Sequence, residues 1–436
     1  MTKTSIRRGL TAAVVAGLAV TGLNACGPAD EGGSGEGTET PEAFSFLVNA
    51  ENTTIPAVLE TLSAGACSAQ NDVLPLEVET VPQTQLDQKL QLLAGQDALP
   101  VMFAAGNSPT LTEELVENGQ ILDFEQAFAD LGKEDAVSSG AVDTISRLYG
   151  GFNVLPFEYN IEGFWYNTSI LEENDVEVPE TWDDLVDAAE TLDAAGVQPL
   201  SASGEQGWPL TRLISGYLFQ DLGAEAMQAV TDGEAELTDA EYVTAAAEVQ
   251  ALGEAGYFGP GVGSIEYDPA INAFLNGDAA MLYMGSWVLS SFADDELNKI
   301  GSENIDFFSF PAVGGGEGSS EALPANVGLP MTMSAKTYSD EVADWLGCIA
   351  DNYGQAALDE ANRISGFTGA DTSSADELTG LVQDMVDNTS ESVLWFEAQF
   401  GAKATNVSQT NAAPLMTGSQ TPEEFMDKVQ SAVASE

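Results

Sequence analysis

From residue 44 onward the chain alternates between two hydrophobic periods. Phe44-Ser45-Phe46-Leu47-Val48 reads as a first strand, and Ile55, Val58, Leu59 and Leu62 then recur at helical spacing. Leu76, Val78 and Thr80 alternate with Glu77 and Glu79, the period-two pattern of a strand with one wet face. Leu86, Leu90 and Leu93 form a helical stripe that stops at Gly95, and residues 100–103 make a short buried strand. Strand followed by helix, repeated from the start, predicts an α/β architecture with largely parallel pairing.

Later helices carry their own punctuation. Thr181 is an N-cap hydroxyl with Asp184 three residues on, and Trp182, Leu185, Ala189 and Leu192 form the stripe that follows. Asp268-Pro269 is expected to cap a helix bearing Ile271, Phe274 and Leu275, closed by Gly277 and followed by a strand over 280–284. Thr421-Pro422-Glu423-Glu424 is a full capping box with proline at the first helical position. The glycine run at 314–318 lacks a following Lys-Ser or Lys-Thr, so it reads as a surface loop and not as a phosphate cradle.

The first 43 residues follow neither period. Lys3, Arg7 and Arg8 precede an apolar stretch over 10–20, too short for the ~20 residues a membrane-spanning helix needs. This is an export signal. It ends in Leu23-Asn24-Ala25-Cys26, which resembles a bacterial lipobox, so residues 1–25 are expected to be removed and Cys26 acylated. Residues 26–43, rich in Gly, Ser, Thr and Glu, read as a flexible tether to the membrane.

Charge narrows the function. Acidic side chains number 70 against 12 basic ones, for a formal charge of −58, and histidine is absent. No histidine means no Ser-His-Asp or Cys-His catalysis and no imidazole metal site. The sign of the charge argues against nucleic acid and anionic lipid surfaces. It reads as adaptation to a saline or alkaline exterior. No cofactor, metal site or catalytic residue is expected.

Four stretches together resemble the extracellular solute-binding protein family 1, the carbohydrate ABC-transporter substrate-binding lipoproteins that include maltose-binding protein. They are Leu155-Pro156 leading to Gly163-Phe164-Trp165-Tyr166-Asn167; Pro179-Glu180-Thr181-Trp182-Asp183-Asp184-Leu185; Phe274-Leu275-Asn276-Gly277-Asp278-Ala279-Ala280-Met281; and Gly285-Ser286-Trp287. The resemblance implies an α/β, two-lobed periplasmic-binding-protein-like fold with a hinge between discontinuous lobes. Residues 44–158 and 331–375 would form lobe 1, and 159–330 and 376–436 lobe 2. It further implies a monomeric, lipid-anchored protein on the extracytoplasmic face of the cell membrane. Such a protein binds a neutral sugar or oligosaccharide without turnover and delivers it to permease subunits.

A sugar offers apolar ring faces and a belt of hydroxyls, so its binder needs aromatic plates and amide or carboxylate partners. Trp165, Trp182 and Trp345 lie in apolar runs or stripes and read as core. Trp208, Trp287 and Trp395 lie beside loop signals, and the resemblance gives them, with Gly285, Ser286 and Phe396, to the ligand. Asn49, Glu51, Asn52 and Asn107 follow strands of an α/β sheet, where such sheets bind ligands, and Asn160 lies in the expected crossing segment. Glu158, Glu205 and Asn326 complete the candidates. Ala104 and Ala105 stand where maltose-binding protein carries an aromatic platform, so a maltodextrin site is not implied.

By the same resemblance Cys67 and Cys348 fall in one lobe and are expected to pair in an oxidising compartment. The alternatives are a binder of cationic or peptide ligands, a receptor for a macromolecule, and a secreted glycoside hydrolase, which needs only two carboxylates. If the lipobox reading holds, Cys26→Ser abolishes incorporation of labelled palmitate and releases the protein from membranes into the medium. Unchanged labelling of that variant would refute it.

Overall fold

In the computed structural model the described residues are 41–50, 52–105, 109–319, 322–389 and 391–436. Cys26, Glu51 and Asn107 lie outside them, as do the signal and nearly all of the tether. Among the described residues the strands are β1 Phe44–Asn49, β2 Leu76–Val81, β3 Met102–Ala104, β4 Asn160–Asn167, β5 Gln198–Ser201, β6 Ala279–Gly285, β7 Ile305–Phe308, β8 Ala322–Asn326, β9 Met331–Met333 and β10 Glu391–Val393.

They form two sheets. The first runs β2-β1-β3-β9, and the second runs β10-β8-β4-β6-β5 with β7 also paired to β4. In the first sheet β1 lies parallel to β2 and β3, as the strand–helix alternation predicts. The second sheet corrects the expectation of largely parallel pairing. Its central strand β4 runs antiparallel to β6, β7 and β8, and only the outer pairs β5–β6 and β8–β10 are parallel. The physical reason is strand order. β5 follows β4 in sequence but docks on the far side of β6, so local alternation does not determine which neighbour β4 meets.

The chain passes between the sheets three times, on the approach to β4, between β8 and β9, and between β9 and β10. The approach to β4 is pinned by backbone bonds, Leu155 N–H to the carbonyl of Met331 at 2.6 Å and Tyr159 N–H to that of Ile364 at 3.0 Å. Two apolar clusters result. One joins Phe44, Phe46, Met102 and Trp345 to Trp165 and Phe292; the other gathers Phe164, Trp182, Phe310 and Phe425. Strand pleating explains why Phe164 and Trp165, adjacent in sequence, serve different clusters.

The helix punctuation is largely as expected. Thr181 and Thr421 head helices Trp182–Ala194 and Pro422–Val433, each with a reciprocal capping box. The helix expected to start at Asp268-Pro269 instead spans Tyr267–Leu275, with Glu266 at its cap. Proline is tolerated there because first-turn N–H groups have no partner within the helix. The glycine run is a surface loop, as expected, and its backbone rests close on the helix Trp208–Leu222: a Cβ at Gly316 would lie 2.2 Å from the carbonyl oxygen of Gln220.

Cys67 and Cys348 are joined by a disulfide across a sequence separation of 281, with Cα atoms 5.8 Å apart. It ties the end of helix Thr54–Ala64 to helix Asp340–Ala361, on which Trp345 packs against Phe44. Replacing both cysteines with alanine should therefore lower unfolding stability by about 2–5 kcal/mol. Denaturant melts of the variant and of the oxidised parent measure this, and coincident melts would contradict it.

Candidate functional site

The site begins with the register of β4. Asn160 and Glu162 are two residues apart and share a face; Asn160 pairs with Asn326 of β8, and Glu162 with Gly285 of β6. A short polar chain links them. Asn160 Nδ2 donates to Asn326 Oδ1 at 3.3 Å, and Asn326 Nδ2 donates to Glu162 Oε1 at 3.3 Å. Ser286 Oγ accepts from the Ile161 N–H at 3.2 Å and reaches Asn160 Oδ1 at 3.5 Å.

Glu162 is 1% exposed, so its charge demands a partner. Arg212, on helix Trp208–Leu222, supplies it through Nη1. The guanidinium carbon lies 4.7 Å from the ring centroid of Trp395 and 5.4 Å from that of Trp208. Arg212 follows Trp208 by four residues, which puts both on one helical face.

Trp208 is held by Gly207. A φ of +77° there, and the 2.0 Å that would separate a Cβ from the Gln409 carbonyl oxygen, exclude any side chain. The Trp208 indole N–H donates to Gln206 Oε1 at 2.9 Å. Trp208 meets Trp287 at 5.9 Å between centroids, inclined at 60°. The Trp287 indole N–H donates to Tyr267 Oη at 2.7 Å, and Arg363 donates to the Trp287 carbonyl at 2.9 Å. Gly285 is the seat of the Trp287 ring: a Cβ there would meet it at 1.9 Å. All three tryptophan side chains remain half-buried.

A cavity of about 360 Å³ adjoins Trp395, within the size range of small-molecule sites. Its walls include Gln83, which starts the helix after β2, and Asn326, Gly328 and Glu397, so segments adjoining both sheets contribute. Glu397 is buried, and its Oε1 accepts from Thr211 Oγ1 at 2.6 Å and from Ser408 Oγ. Burial pushes its carboxyl above the ordinary value, while these hydroxyls and Arg212 pull it back. Burial likewise raises Glu158, against the pull of Arg363 and the Leu329 backbone.

Among the described residues, no Asp, Glu or Cys group is placed to hold a metal ion. No helix among them is long and apolar enough to cross a membrane.

Residues 74–356 match the family described as bacterial extracellular solute-binding proteins. The chain belongs to that family. It is 27% identical over 204 residues to the xylose/arabinose-binding protein XacG of Haloferax volcanii, covering 45% of this chain and 43% of that one. It is also 27% identical over 190 residues to the multiple sugar-binding protein of Streptococcus mutans, covering 42% and 43%. The chain thus spans about half the length of the curated relatives it matches.

Similarity in structure reaches further. A chitin oligosaccharide binding protein superposes with a TM-score of 0.72 at 24% identity, over 91% of this chain and 99% of that one. A probable secreted solute-binding lipoprotein from Streptomyces coelicolor gives 0.75 at 17% identity, over 91% and 99%. The fold is the two-lobed solute-binding one.

The sequence-derived candidates divide accordingly. Asn160, Ser286, Asn326, Trp208, Trp287 and Trp395 come together, with Gly285 beneath Trp287. Asn49 ends β1, 5% exposed, and its Oδ1 is buried without a partner. Asn52 is a capping residue, its Oδ1 accepting from the Ile55 N–H at 3.1 Å. Glu205 is exposed on a loop. Glu158 lies in the crossing segment beneath Gly328, where a Cβ would come within 2.4 Å of its carboxylate.

Phe396 is a correction. It is fully buried in the second cluster, stacked on Phe425 and edge-on to Phe400, because adjacent residues of that turn point opposite ways. Glu162, Arg212, Tyr267, Arg363 and Glu397 were not anticipated. Glu162 had a signal, a lone charge in the apolar run 161–166.

A raised carboxyl has a definite consequence for pH. What Glu397 contributes to stability is complete below the ordinary carboxylate range and is lost as pH rises through its raised folded value. Glu397→Gln keeps an acceptor for Thr211 and Ser408 and removes the ionisation. Its melting temperature should gain on the parent progressively with rising pH; a constant offset across the range would contradict the assignment.

Proposed function

We propose that this protein is the lipid-anchored, extracytoplasmic solute receptor of an ABC importer. It takes a neutral sugar or oligosaccharide into the cleft between its lobes, releases it unchanged, and works as a monomer that hands the solute to permease subunits. The observation that carries the reading is one cluster: Trp208, Trp287 and Trp395 grouped around an amide–carboxylate chain whose buried charges, Glu162 and Arg212, cancel. Indole faces suit sugar rings, and Asn160, Asn326 and Glu162 suit hydroxyls. Relatives named for xylose, arabinose and multiple sugars, and a structural neighbour complexed with raffinose at a TM-score of 0.66, favour the same ligand class.

In this reading residues 44–158 and 331–375 form one lobe, 159–330 and 376–436 the other, and the segment around Glu158 is the hinge. Asn49, Asn52, Glu51 and Asn107 would approach the sugar from the first lobe on closure, and Cys26 would carry the lipid. A cationic ligand is less suited, because the chain's own guanidinium already covers Trp208 and Trp395. A hydrolase is disfavoured because Glu162 and Glu397 are each tied down, one by Arg212 and the other by two hydroxyls.

The test is calorimetric titration with mono- and oligosaccharides, product analysis after incubation, and the same titration on Trp287→Ala. A sugar should bind at about micromolar strength and stay intact, and the variant should lose about 2 kcal/mol or more of affinity. Steady hydrolysis, or an unchanged dissociation constant for a folded Trp287→Ala, would overturn the reading.

A further inference from the structure

The floor of the cleft has the make-up of a cation site. The faces of Trp208 and Trp395 and the carboxylate of Glu162 converge there, and aromatic faces backed by a carboxylate are how proteins recognise ammonium and guanidinium ions. The place a cation would take holds the chain's own Arg212, whose side chain is 12% exposed.

The ion pair alone does not account for its placement. Bidentate contact is the usual arginine–carboxylate arrangement, yet Arg212 Nε and Glu162 Oε2 are both buried without partners. The guanidinium keeps one contact to the carboxylate while its carbon lies 4.7 and 5.4 Å from the two ring centroids.

We propose that Arg212 is a built-in cation that sets solute selectivity, filling an aromatic–carboxylate box so that positively charged solutes are barred and uncharged ones are admitted. A formal charge of −58 makes such a bar useful, because the field of the whole protein concentrates cations at its surface. The proposal rests on the reading of the cleft as a neutral-sugar site and names the residue that enforces neutrality. Glu162, Trp208 and Trp395 then recognise a guanidinium in every molecule of the protein, supplied in cis.

Removing the arginine side chain should expose the box. The experiment titrates the full chain and Arg212→Ala with methylguanidinium chloride and with tetramethylammonium chloride at constant ionic strength, following tryptophan emission and thermal melting without any sugar. Arg212→Ala should show a saturable emission change and a raised melting temperature with at least one cation. The parent should respond at least about tenfold more weakly. Arg212→Ala/Glu162→Gln, which removes the carboxylate as well, should lose the response.

A folded Arg212→Ala with no saturable response overturns the proposal, and so does a parent that responds equally. If Arg212→Ala does not fold alone, methylguanidinium should restore a cooperative melt, and failure to restore it overturns the proposal too. Because no sugar is present, failure here is distinct from failure of the sugar-binding reading, which the titrations with saccharides decide.

Discussion

A carboxylate and a guanidinium removed from water must satisfy each other, since the desolvation penalty is several kcal/mol for each ion. Much of the cleft floor follows from that need. Glu162 sits on the central strand of the second sheet, so its partner has to come from above, from the helix that starts at Trp208. Asn326 shares the carboxylate, Asn160 steadies Asn326, and Ser286 ties Asn160 to the backbone at Ile161. Three strand ends are thereby fixed against one another before any solute arrives, and the tryptophans are mounted on that frame.

The remaining acidity is arranged differently. The capping acids Asp184, Asp371 and Glu423 lie at the surface, their carboxyls held below the ordinary value by helix-end or turn hydrogen bonds. The buried acids Glu158 and Glu397 are pushed the other way. Exposed carboxylates thus carry charge where salt screens it over ~10 Å at 0.1 M, while burial opposes ionisation of Glu158 and Glu397. A strongly anionic composition and the buried Glu162–Arg212 pair are compatible in one chain because burial and pairing separate that pair from the exposed acids.

Much of the fold was legible because local signals agree with it. The capping boxes at Thr181 and Thr421 are complete, and the stripe on Trp182, Leu185, Ala189 and Leu192 is buried. Sheet order was not legible, since the pairing of β4 with β6, β7 and β8 depends on contacts between segments distant in sequence. The site was legible in part. A tryptophan beside a loop signal is visible in sequence, but that Trp395 lines a cavity while Phe396 turns to the core is decided by a single turn. Arg212 was hidden for another reason: one basic residue on an apolar helix gives no hint that a buried acid waits on a strand 50 residues earlier.

The bridge between Cys67 and Cys348 encloses the whole of the second sheet except its edge strand β10. An exported chain is open to proteases, and a cut in any loop from 68 to 347 leaves two pieces that cannot part while the bridge is oxidised. A chain nicked in that span keeps most of its second sheet attached to its N-terminal segment; one cut beyond residue 348 has no such tether and can shed its final helices.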